Sequence, residues 1–383
     1  MDFSLSEDQR AFAESARALF ADHAGDEQLR AHDRSGEPYL QALWPRCIEL
    51  GLHGIVVPER FGGIGAGMTE LMAVLEAQGR ALALVPLWEH QLAVAALLAH
   101  GDAAQGARIT AAALAGDALL TVSLAALADP RAPSMTLARD GSRWRLHGRV
   151  PALPLGAQSS HALIGVACEG RQRLVLVDLA EPGLRRVAGM SQHHLAVADL
   201  EADGAAVAPD ALLAESAHAW FEPRAIACLA ALQLGVSAEQ LQRTVQYLSE
   251  RRQFERPIGS FQLVAGQMAD GHIAVEALRS ALWQLVYRLD AGLPAQPQAL
   301  ALRVLACECG HRTGHMAQHV HGGMGVDVSY PIHRYLYWSR ALGAALGGSA
   351  SHLERLGDWL ADHDGLGWKY DLPEEDDATH AVV

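Results

Sequence analysis

Apolar residues recur at helical spacing through the first part of the chain, residues 4–116. Phe12, Ala16 and Leu19 lie three or four residues apart, as on one face of a helix, and Ser6 precedes them as a candidate N-cap. The same spacing continues beyond this first helix. It predicts further helices from near Pro38 to Gly51, from Thr69 to Leu82, from Leu87 to His100 and from Ala103 to Leu114.

The pattern changes near residue 118, where short apolar runs between glycines and prolines replace the helical spacing. Such runs are typical of strands, and Asp140-Gly141 is a hairpin signal between two of them. We therefore expect a small antiparallel barrel or sandwich in this part of the chain. Its predicted strands are Leu119 to Ser123, Met135 to Ala138, Arg143 to His147, His161 to Ala167 and Leu174 to Leu179.

Helical spacing returns near residue 213. Leu229, Leu232 and Val236 begin an apolar face that predicts a long helix, and Glu276 to Leu289 and Ala299 to His319 predict two more. The sequence therefore predicts a mainly α fold with a central antiparallel β domain. The expected domains are an N-terminal helical domain over 1–117, a β domain over 118–212, and a C-terminal helical domain over 213–383 with the acidic tail Glu374 to Val383.

Composition narrows the possible functions. The 383 residues include 30 basic and 44 acidic ones, a formal net charge of −14, so generic nucleic-acid binding is disfavoured. The most apolar runs, such as Leu92 to Ala99, are much shorter than the ~18 residues of a membrane span. The five cysteines do not form the closely spaced pattern of a disulfide framework, which favours reduced thiols. Because the first residues do not resemble a secretory signal, these features predict a cytoplasmic protein.

A stripe of potential metal ligands, spaced by four residues, lies on the predicted helix that ends at His319. Histidines four residues apart on a helix can bind zinc. A second ligand set and the H-E-x-x-H pattern are both missing, so we predict a polar stripe at a helix interface and no metal. The stripe consists of Cys307, His311, His315 and His319, with Cys309 and His321 close by.

Two stretches near the C-terminal end combine residues suited to a phosphorylated, aromatic ligand. Ser249 to Gln262 contains an arginine cluster beside an aromatic residue, which suits a pyrophosphate and a flat ring. His319 to Gly325 contains a glycine turn where a backbone can approach a ligand closely. Taken alone, the arginine cluster is more typical of a solvated face.

These stretches resemble the motifs R-x-x-F-G-x-x-I-x-x-x-Q and Q-x-x-G-G-x-G of the acyl-CoA dehydrogenase family. Ser4 to Arg10 and Leu50 to Gly63 also resemble that family, and the similarity covers nearly the whole chain in the same helix–β–helix order. The resemblance implies an FAD-dependent enzyme that removes hydrogens from Cα and Cβ of an acyl-CoA thioester. It implies cofactor binding at Arg251, Phe254, Gln262, His319, Gly322 and Gly323, although Glu255 replaces a motif Gly and His319 the motif Gln.

The chain departs from the family where the catalytic base is expected. The family Glu, which takes the α-proton, falls within Ala345 to Ser349, where this sequence has no acidic residue. A minority of the family carries the Glu on the long helix, at a position that is Ala225 here, and the nearest acid is Glu222. Without a base, α-proton abstraction loses a contribution of order 10²–10⁴ or more.

The flavin side of the resemblance is altered as well. The family's T-E-P-x-A-G-S-D stretch corresponds here to Leu124 to Arg131, which does not match it. The family's W-I-T, whose Trp covers the flavin and whose Thr bonds near its reactive nitrogen, falls on Ala152-Leu153-Pro154. Proline offers neither a hydroxyl nor an N–H, so the chain's own flavin-ring pocket is expected to be dismantled.

The resemblance and these departures together predict the base-less subunit of a heteromeric acyl-CoA dehydrogenase. An unlike partner in an α2β2 tetramer supplies the Glu, Trp and Thr, while this chain completes the partner's FAD site. No catalytic residue is assigned to the chain itself. In the family, such subunits often act on bulky acyl-CoAs, such as those of steroid side chains or dicarboxylic acids.

Two alternatives remain. One is a self-sufficient homotetrameric dehydrogenase with a relocated base, for example Asp327, which an intact flavin pocket supports and Pro154 disfavours. The other is a non-enzymatic acyl-CoA-binding or scaffold protein with the same fold. Absence of flavin in the presence of every plausible partner supports that second alternative.

Overall fold

The computed structural model describes residues 6–125, 133–141 and 143–363, and the predicted acidic tail lies outside these ranges. Helices that precede and follow a central β-sheet in the chain make up most of the described residues, which confirms the predicted mainly α fold class. The helices are α1 (Glu7–His23), α2 (Asp26–Ser35), α3 (Trp44–Glu49), α4 (Met68–Ala81), α5 (Leu87–His100), α6 (Ala103–Leu114), α7 (Ala217–Glu250), α8 (Gln262–Asp290), α9 (Gln296–His321), α10 (Gly323–Val326), α11 (Ile332–Ala344) and α12 (Gly348–Asp362).

Strands lie between α6 and α7 and form one sheet, in the spatial order β1-β4-β2-β3-β7-β6, with β5 paired to β4. A separate small hairpin of β8 (Arg252–Gln253) and β9 (Arg256–Pro257) follows α7. The strands of the central sheet are β1 (Leu120–Ser123), β2 (Met135–Asp140), β3 (Arg143–Pro154), β4 (His161–Cys168), β5 (Arg171–Asp178), β6 (Leu184–Met190) and β7 (Ala196–Val207).

The sheet is mixed, which corrects the expectation of a wholly antiparallel one. The hairpin predicted at Asp140-Gly141 is present, because β2 and β3 pair antiparallel with Asp140 opposite Arg143. However, β4 pairs in parallel with both β1 and β2. Parallel partners are distant in the sequence, as Leu120 is from His161, so no local pattern indicates which strands will meet.

The helical parts before and after the sheet share one apolar core. Its buried members run from Ala16 in α1 to Leu342 in α11, and they include Leu163 and Leu174 from the sheet. A second core lies on the other side of the sheet and contains Ile164 and other strand residues. Neighbours such as Leu163 and Ile164 therefore face different cores, which explains why β4 is apolar along most of its length.

Helices α4 and α7 pack at backbone contact distance. A Cβ added to Gly235 would lie 2.1 Å from the backbone oxygen of Glu76, and a Cβ added to Gly79 would lie 2.2 Å from that of Leu232. Only glycine fits such a contact without moving one of the helices. Among the described residues, no helix is both long enough and apolar enough to cross a membrane.

Candidate functional site

The C-terminal ends of α7 and α9 lie side by side. The Tyr247 ring of α7 stacks on the His321 ring of α9, with centroids 4.3 Å apart and planes 18° apart. Arg251 is the C-cap of α7 and Gly322 is the C-cap of α9, so this stack holds both caps at the same end of the helical domain. Gly322 has φ +58°, a left-handed conformation that favours glycine.

The hairpin after Arg251 presents an aromatic residue to solvent. Phe254 and Glu255 form its turn with φ +51° and +67°, and the Phe254 side chain is 86% exposed. The left-handed backbone at Glu255 explains why glycine suits this motif position. Phe254 meets the edge of Phe261 at a centroid distance of 6.1 Å, and the Arg256 guanidinium lies 4.0 Å from the Phe261 centroid.

We call the predicted cofactor residues together the α7–α9 end surface. All of them are exposed, and the Arg251 guanidinium makes no ion pair with a described residue. Gln262 begins α8 after a short 3-10 turn (Ile258–Ser260) that follows the hairpin, and His319 lies in the last turn of α9. The structure thus leaves an unneutralised guanidinium, an aromatic ring and a glycine turn open to another molecule. The members of this surface are Arg251, Phe254, Gln262, His319, Gly322 and Gly323.

Exposed apolar side chains flank the α7–α9 end surface. Leu263 of α8 is 85% exposed, and Val326 and Val328, which follow the glycine turn, are 79% and 70% exposed. A cluster of large exposed apolar residues beside polar ones is typical of a protein interaction site. This end of the helical domain therefore has the composition of an interaction surface.

The segment aligned with the family's flavin-ring motif, Ala152 to Pro154, forms hydrogen bonds within its own chain. It follows an irregularity in the β3–β7 register, where Ala152 takes φ +48° and its N–H donates to Asp199 Oδ1 at 2.8 Å. The Pro154 carbonyl accepts a hydrogen bond from Thr121 Oγ1 at 2.6 Å. Neither Ala152 nor Pro154 offers a side-chain donor, so this segment does not fit a bound flavin ring. The remaining departure, 126–131, lies outside the described residues.

Both positions expected to hold a base lack a carboxylate. Ala225 is buried in α7, and the turn between α11 and α12 contains no acid. The nearest acid, Glu222, receives hydrogen bonds from both terminal nitrogens of Arg355 at 2.6 and 2.7 Å. Burial alone would raise the pKa of Glu222, but the Arg355 guanidinium outweighs it and holds the pKa below its ordinary value. Glu222 is thus committed to an ion pair.

Asp327, the other candidate for a base, is exposed after the glycine turn. Its carboxylate accepts a hydrogen bond from the Ser329 N–H at 2.8 Å, and hydrogen bonds from Ser329 lower its pKa. An exposed carboxylate with a lowered pKa is a weak base. The geometry therefore gives Asp327 a role in shaping the turn.

Sequence reasoning missed a buried acid, Glu89 of α5. Its side chain lines a cavity of about 120 Å³ that also touches Thr121, Pro154 and Ala345. Glu89 Oε2 is buried and has no hydrogen-bond partner among the described residues. Burial raises the pKa of Glu89 to about 8. The available signal was a lone Glu in a helix that is apolar on most of its faces.

Three members of the cysteine and histidine stripe of α9, Cys307, His311 and His315, line a groove of about 630 Å³ between α9, α11 and α12, and His319 lies outside that groove. His311 and His315 lie with ring centroids 4.5 Å apart, and the Cys307 thiol donates to the Gly343 carbonyl at 3.7 Å. The part of the chain that the structure describes contains no group of three potential ligands able to hold a metal ion. All five cysteines are free.

Comparisons with known proteins agree along the chain. The profile of "Acyl-CoA dehydrogenase, N-terminal domain" matches residues 6–117, and that of "Acyl-CoA dehydrogenase, C-terminal domain" matches residues 224–361. The chain is 32% identical to "Acyl-CoA dehydrogenase FadE27" of Mycobacterium tuberculosis (strain ATCC 25618 / H37Rv) over 374 residues, which cover 94% of this chain and 99% of the relative.

Two solved structures are similar throughout. One is the ChsE4-ChsE5 complex from Mycobacterium tuberculosis, with 33% identity and a TM-score of 0.89 over 94% of this chain and 99% of that chain. The other is a variant of the Tcur3481-Tcur3483 steroid ACAD, with 36% identity and a TM-score of 0.88 over 94% of this chain and 100% of that chain. Both are named as pairs of components.

Proposed function

Because the chain belongs to the acyl-CoA dehydrogenase family of FAD-dependent oxidoreductases, we propose that it is the base-less subunit of a heteromeric member. Dehydrogenation removes a proton from Cα of the acyl-CoA thioester and transfers a hydride from Cβ to FAD. In the proposed assembly, an unlike partner holds the flavin ring and the catalytic Glu. This chain holds the other half of the partner's cofactor through its α7–α9 end surface.

The observation that carries the proposal is the contrast between the two halves of a cofactor site within this chain. At the ring half, Ala152 and Pro154 are bound to their own chain and offer no side-chain donor. At the other half, Arg251 is exposed and unneutralised beside the Gly322 turn. A guanidinium of this kind suits a pyrophosphate, which it can bind with charge-assisted, bidentate hydrogen bonds.

The similar solved structures support an unlike partner and suggest the substrate class. Both are named as two-component proteins, and one of them as a steroid ACAD. We therefore propose a bulky acyl-CoA, such as a steroid side-chain thioester, as the substrate. We further propose an α2β2 tetramer in the cytoplasm, with one FAD for each pair of unlike subunits.

The self-sufficient alternative fits the described residues less well. Asp327 is exposed and held by Ser329, and Glu222 is paired with Arg355. Glu89 is buried in a cavity, but a pKa of about 8 keeps most of this acid protonated at neutral pH, where it donates a proton instead of accepting one.

Co-expression with an unlike acyl-CoA dehydrogenase subunit encoded beside this gene tests the proposal. We expect the chain alone to be colourless and inactive with added FAD, and the complex to carry two flavins per tetramer by absorbance. A yellow, active homomer, or four flavins per tetramer, would refute the half-site arrangement. A complex that stays colourless with every plausible partner would favour a scaffold role.

A matched pair of arginine variants localises the cofactor contact. Arg251→Ala should release FAD from the complex, while Arg252→Ala should leave the flavin content near that of the parent. Arg252 is the adjacent exposed arginine, and its guanidinium instead donates to the Glu255 carbonyl. Equal flavin content in both variants would show that Arg251 does not hold the cofactor.

A further inference from the structure

One aromatic contact sets the spacing between the two helix ends of the α7–α9 end surface. The Arg251 N–H donates to the Tyr247 carbonyl at 2.8 Å, and Gly322 directly follows His321, so each cap is tied to one ring of the Tyr247–His321 stack. We propose that His321 is a positioning residue whose neutral ring keeps Arg251 and the glycine turn at the spacing that binds FAD, and that protonation of this ring releases FAD. This inference rests on the proposed function and gives the same site a dependence on pH.

The His321 ring belongs to a cluster of three rings from different parts of the chain. Tyr247 of α7 stacks on it at 4.3 Å, and Tyr330, which precedes α11, lies 5.5 Å away. His321 itself is only 3% exposed. Aromatic contacts at these distances add to the stabilisation that burial provides. The cluster therefore joins the ends of α7 and α9 to the segment that leads into α11.

Hydrogen bonding fixes the protonation state of the His321 ring. Nδ1 lies 2.8 Å from the Ala317 carbonyl oxygen, which can only accept, so Nδ1 carries the proton of the neutral ring. Nε2 is then an acceptor, and this atom is buried without a hydrogen-bond partner among the described residues. A second proton would bind at Nε2 and make it a buried donor without an acceptor, which costs free energy. The closed cluster therefore favours the neutral ring.

The groups beside the ring offer no countercharge for its protonated form. Tyr247 and Tyr330 are phenols, which are neutral at neutral pH. Glu250 at the end of α7 and Asp327 after the glycine turn are exposed, and in the described part of the chain neither forms an ion pair with His321. Burial lowers the pKa of His321, and the hydrogen bond to the Ala317 carbonyl offsets this only in part.

The cations around the cluster add to the effect of burial or are already neutralised. Near Tyr330, the Arg243 guanidinium binds both carboxylate oxygens of Asp26 at 2.9 and 3.1 Å. Arg251 and His319 are exposed at the surface itself. A positive charge on Arg251 disfavours a second positive charge on the neighbouring imidazole ring.

Protonation consequently favours a conformation in which the His321 ring reaches water. Because Gly322 is the next residue, a ring that leaves the stack moves the glycine turn relative to Arg251. A pyrophosphate is bound tightly only when its donors are held in place before it arrives. The half-site should thus lose FAD as pH falls through the lowered pKa of His321.

Release of FAD from the heteromeric complex over a range of pH tests the proposal, with free flavin separated by filtration and measured by absorbance. The parent complex should release FAD with a midpoint below about pH 6.5, the ordinary pKa of histidine. His321→Phe keeps a stacking ring but cannot take up a proton, so its midpoint should lie lower by about one pH unit or more, nearer the range in which carboxyl groups titrate. His311→Phe, the same change at an exposed position of α9, should keep the parent midpoint.

Loss of the ring separates positioning from ionisation, because histidine is neutral at about pH 8. There His321→Ala should raise the Kd of FAD about three- to tenfold, the loss expected for one aromatic pair, and His321→Phe should stay within about twofold of the parent. If His321→Ala does not fold or assemble, the other ring of the stack provides the same comparison. Tyr247→Leu should weaken FAD binding to the same extent, and Tyr247→Phe should not.

Arg251→Ala in the same series separates this inference from the half-site itself. Its complex should lose FAD at about pH 8, where histidine is neutral. If it keeps FAD, the α7–α9 end surface does not hold the cofactor and both proposals fail. Two other outcomes leave the half-site intact but refute the role of His321. They are one release midpoint shared by the parent and His321→Phe, and parent-like affinity for FAD in His321→Ala.

Discussion

Replacing Glu89 by Gln should stabilise the protein, and the gain should grow with pH. Burial raises the pKa of Glu89 from its ordinary 4.5 to about 8, so the folded protein keeps a proton that the unfolded chain releases. When the folded state has the higher pKa, stability is full below the unfolded value and falls as pH rises toward the folded one. Glu89 therefore destabilises the protein increasingly between about pH 4.5 and 8.

The size of this effect follows from the same two pKa values. Because the unfolded chain releases this proton more readily, Glu89 lowers the free energy of unfolding by about 1 kcal/mol at pH 5 and by about 4 kcal/mol at pH 8. Gln has nearly the same volume as the neutral acid and cannot ionise in either state. Glu89→Gln should thus raise the free energy of unfolding by about 1 kcal/mol at pH 5 and about 4 kcal/mol at pH 8, each relative to the parent.

Urea denaturation of parent and variant at both pH values measures the difference, provided that both proteins are in the same assembly state. Glu14→Gln, at an exposed position of α1, is the control and should change the free energy of unfolding by less than about 0.5 kcal/mol. A gain that is equal at pH 5 and pH 8, or a loss of stability at pH 8, would show that Glu89 is not held protonated by burial.

Other expectations concern the helix contact, the buried ion pair and the histidine stripe. Gly235→Ala should lower the free energy of unfolding, measured in urea, by about 1–3 kcal/mol, because the new Cβ meets the Glu76 backbone oxygen. The control Gly357→Ala, whose new Cβ would have nothing within 4 Å, should not lower it. Glu222→Gln should lower the free energy of unfolding by about 3 kcal/mol at pH 7, because Arg355 loses its charged partner. The loss should shrink as pH falls through the lowered pKa of Glu222. Turnover of the complex should not change, and a large loss of turnover would make Glu222 catalytic. His315→Ala should leave the zinc and iron content of chelator-free protein at background, and loss of about one metal per chain would contradict that.

Local patterns predicted the elements with clear beginnings and ends. Helices α5 and α6 have the bounds expected from the sequence, and Asp102 caps α6 by accepting a hydrogen bond from the Gln105 N–H. Helices α2, α11 and α12 and strands β6 and β7 were missed. The inward residues of β7 alternate as in a strand, but several are alanines, whose weak β propensity hid the pattern.

The sequence was less informative about the site. Motif resemblance singled out Arg251 and Gly322, and the structure brings their helix ends together through the Tyr247–His321 stack, which spacing alone does not indicate. The cofactor-binding role of these residues stays a prediction. Glu89 was missed because its burial and its unpaired Oε2 atom are properties of the packed molecule. The motif segment at Pro154 was correctly identified as lacking a donor, since that follows from residue type alone.

The shared helical core has a consequence for synthesis of the chain. Buried residues of the N-terminal helices, up to Ala113, pack in one core with residues as far along as Leu342. Leu342 leaves the ribosome 229 residues after Ala113, a delay of roughly 10 to 45 s at ordinary elongation rates. The apolar faces of α4 and α5 lack their partner until α7 has been made, and the shared core stays incomplete until Leu342 is added, so we expect nascent chains to need chaperone protection until translation is nearly complete.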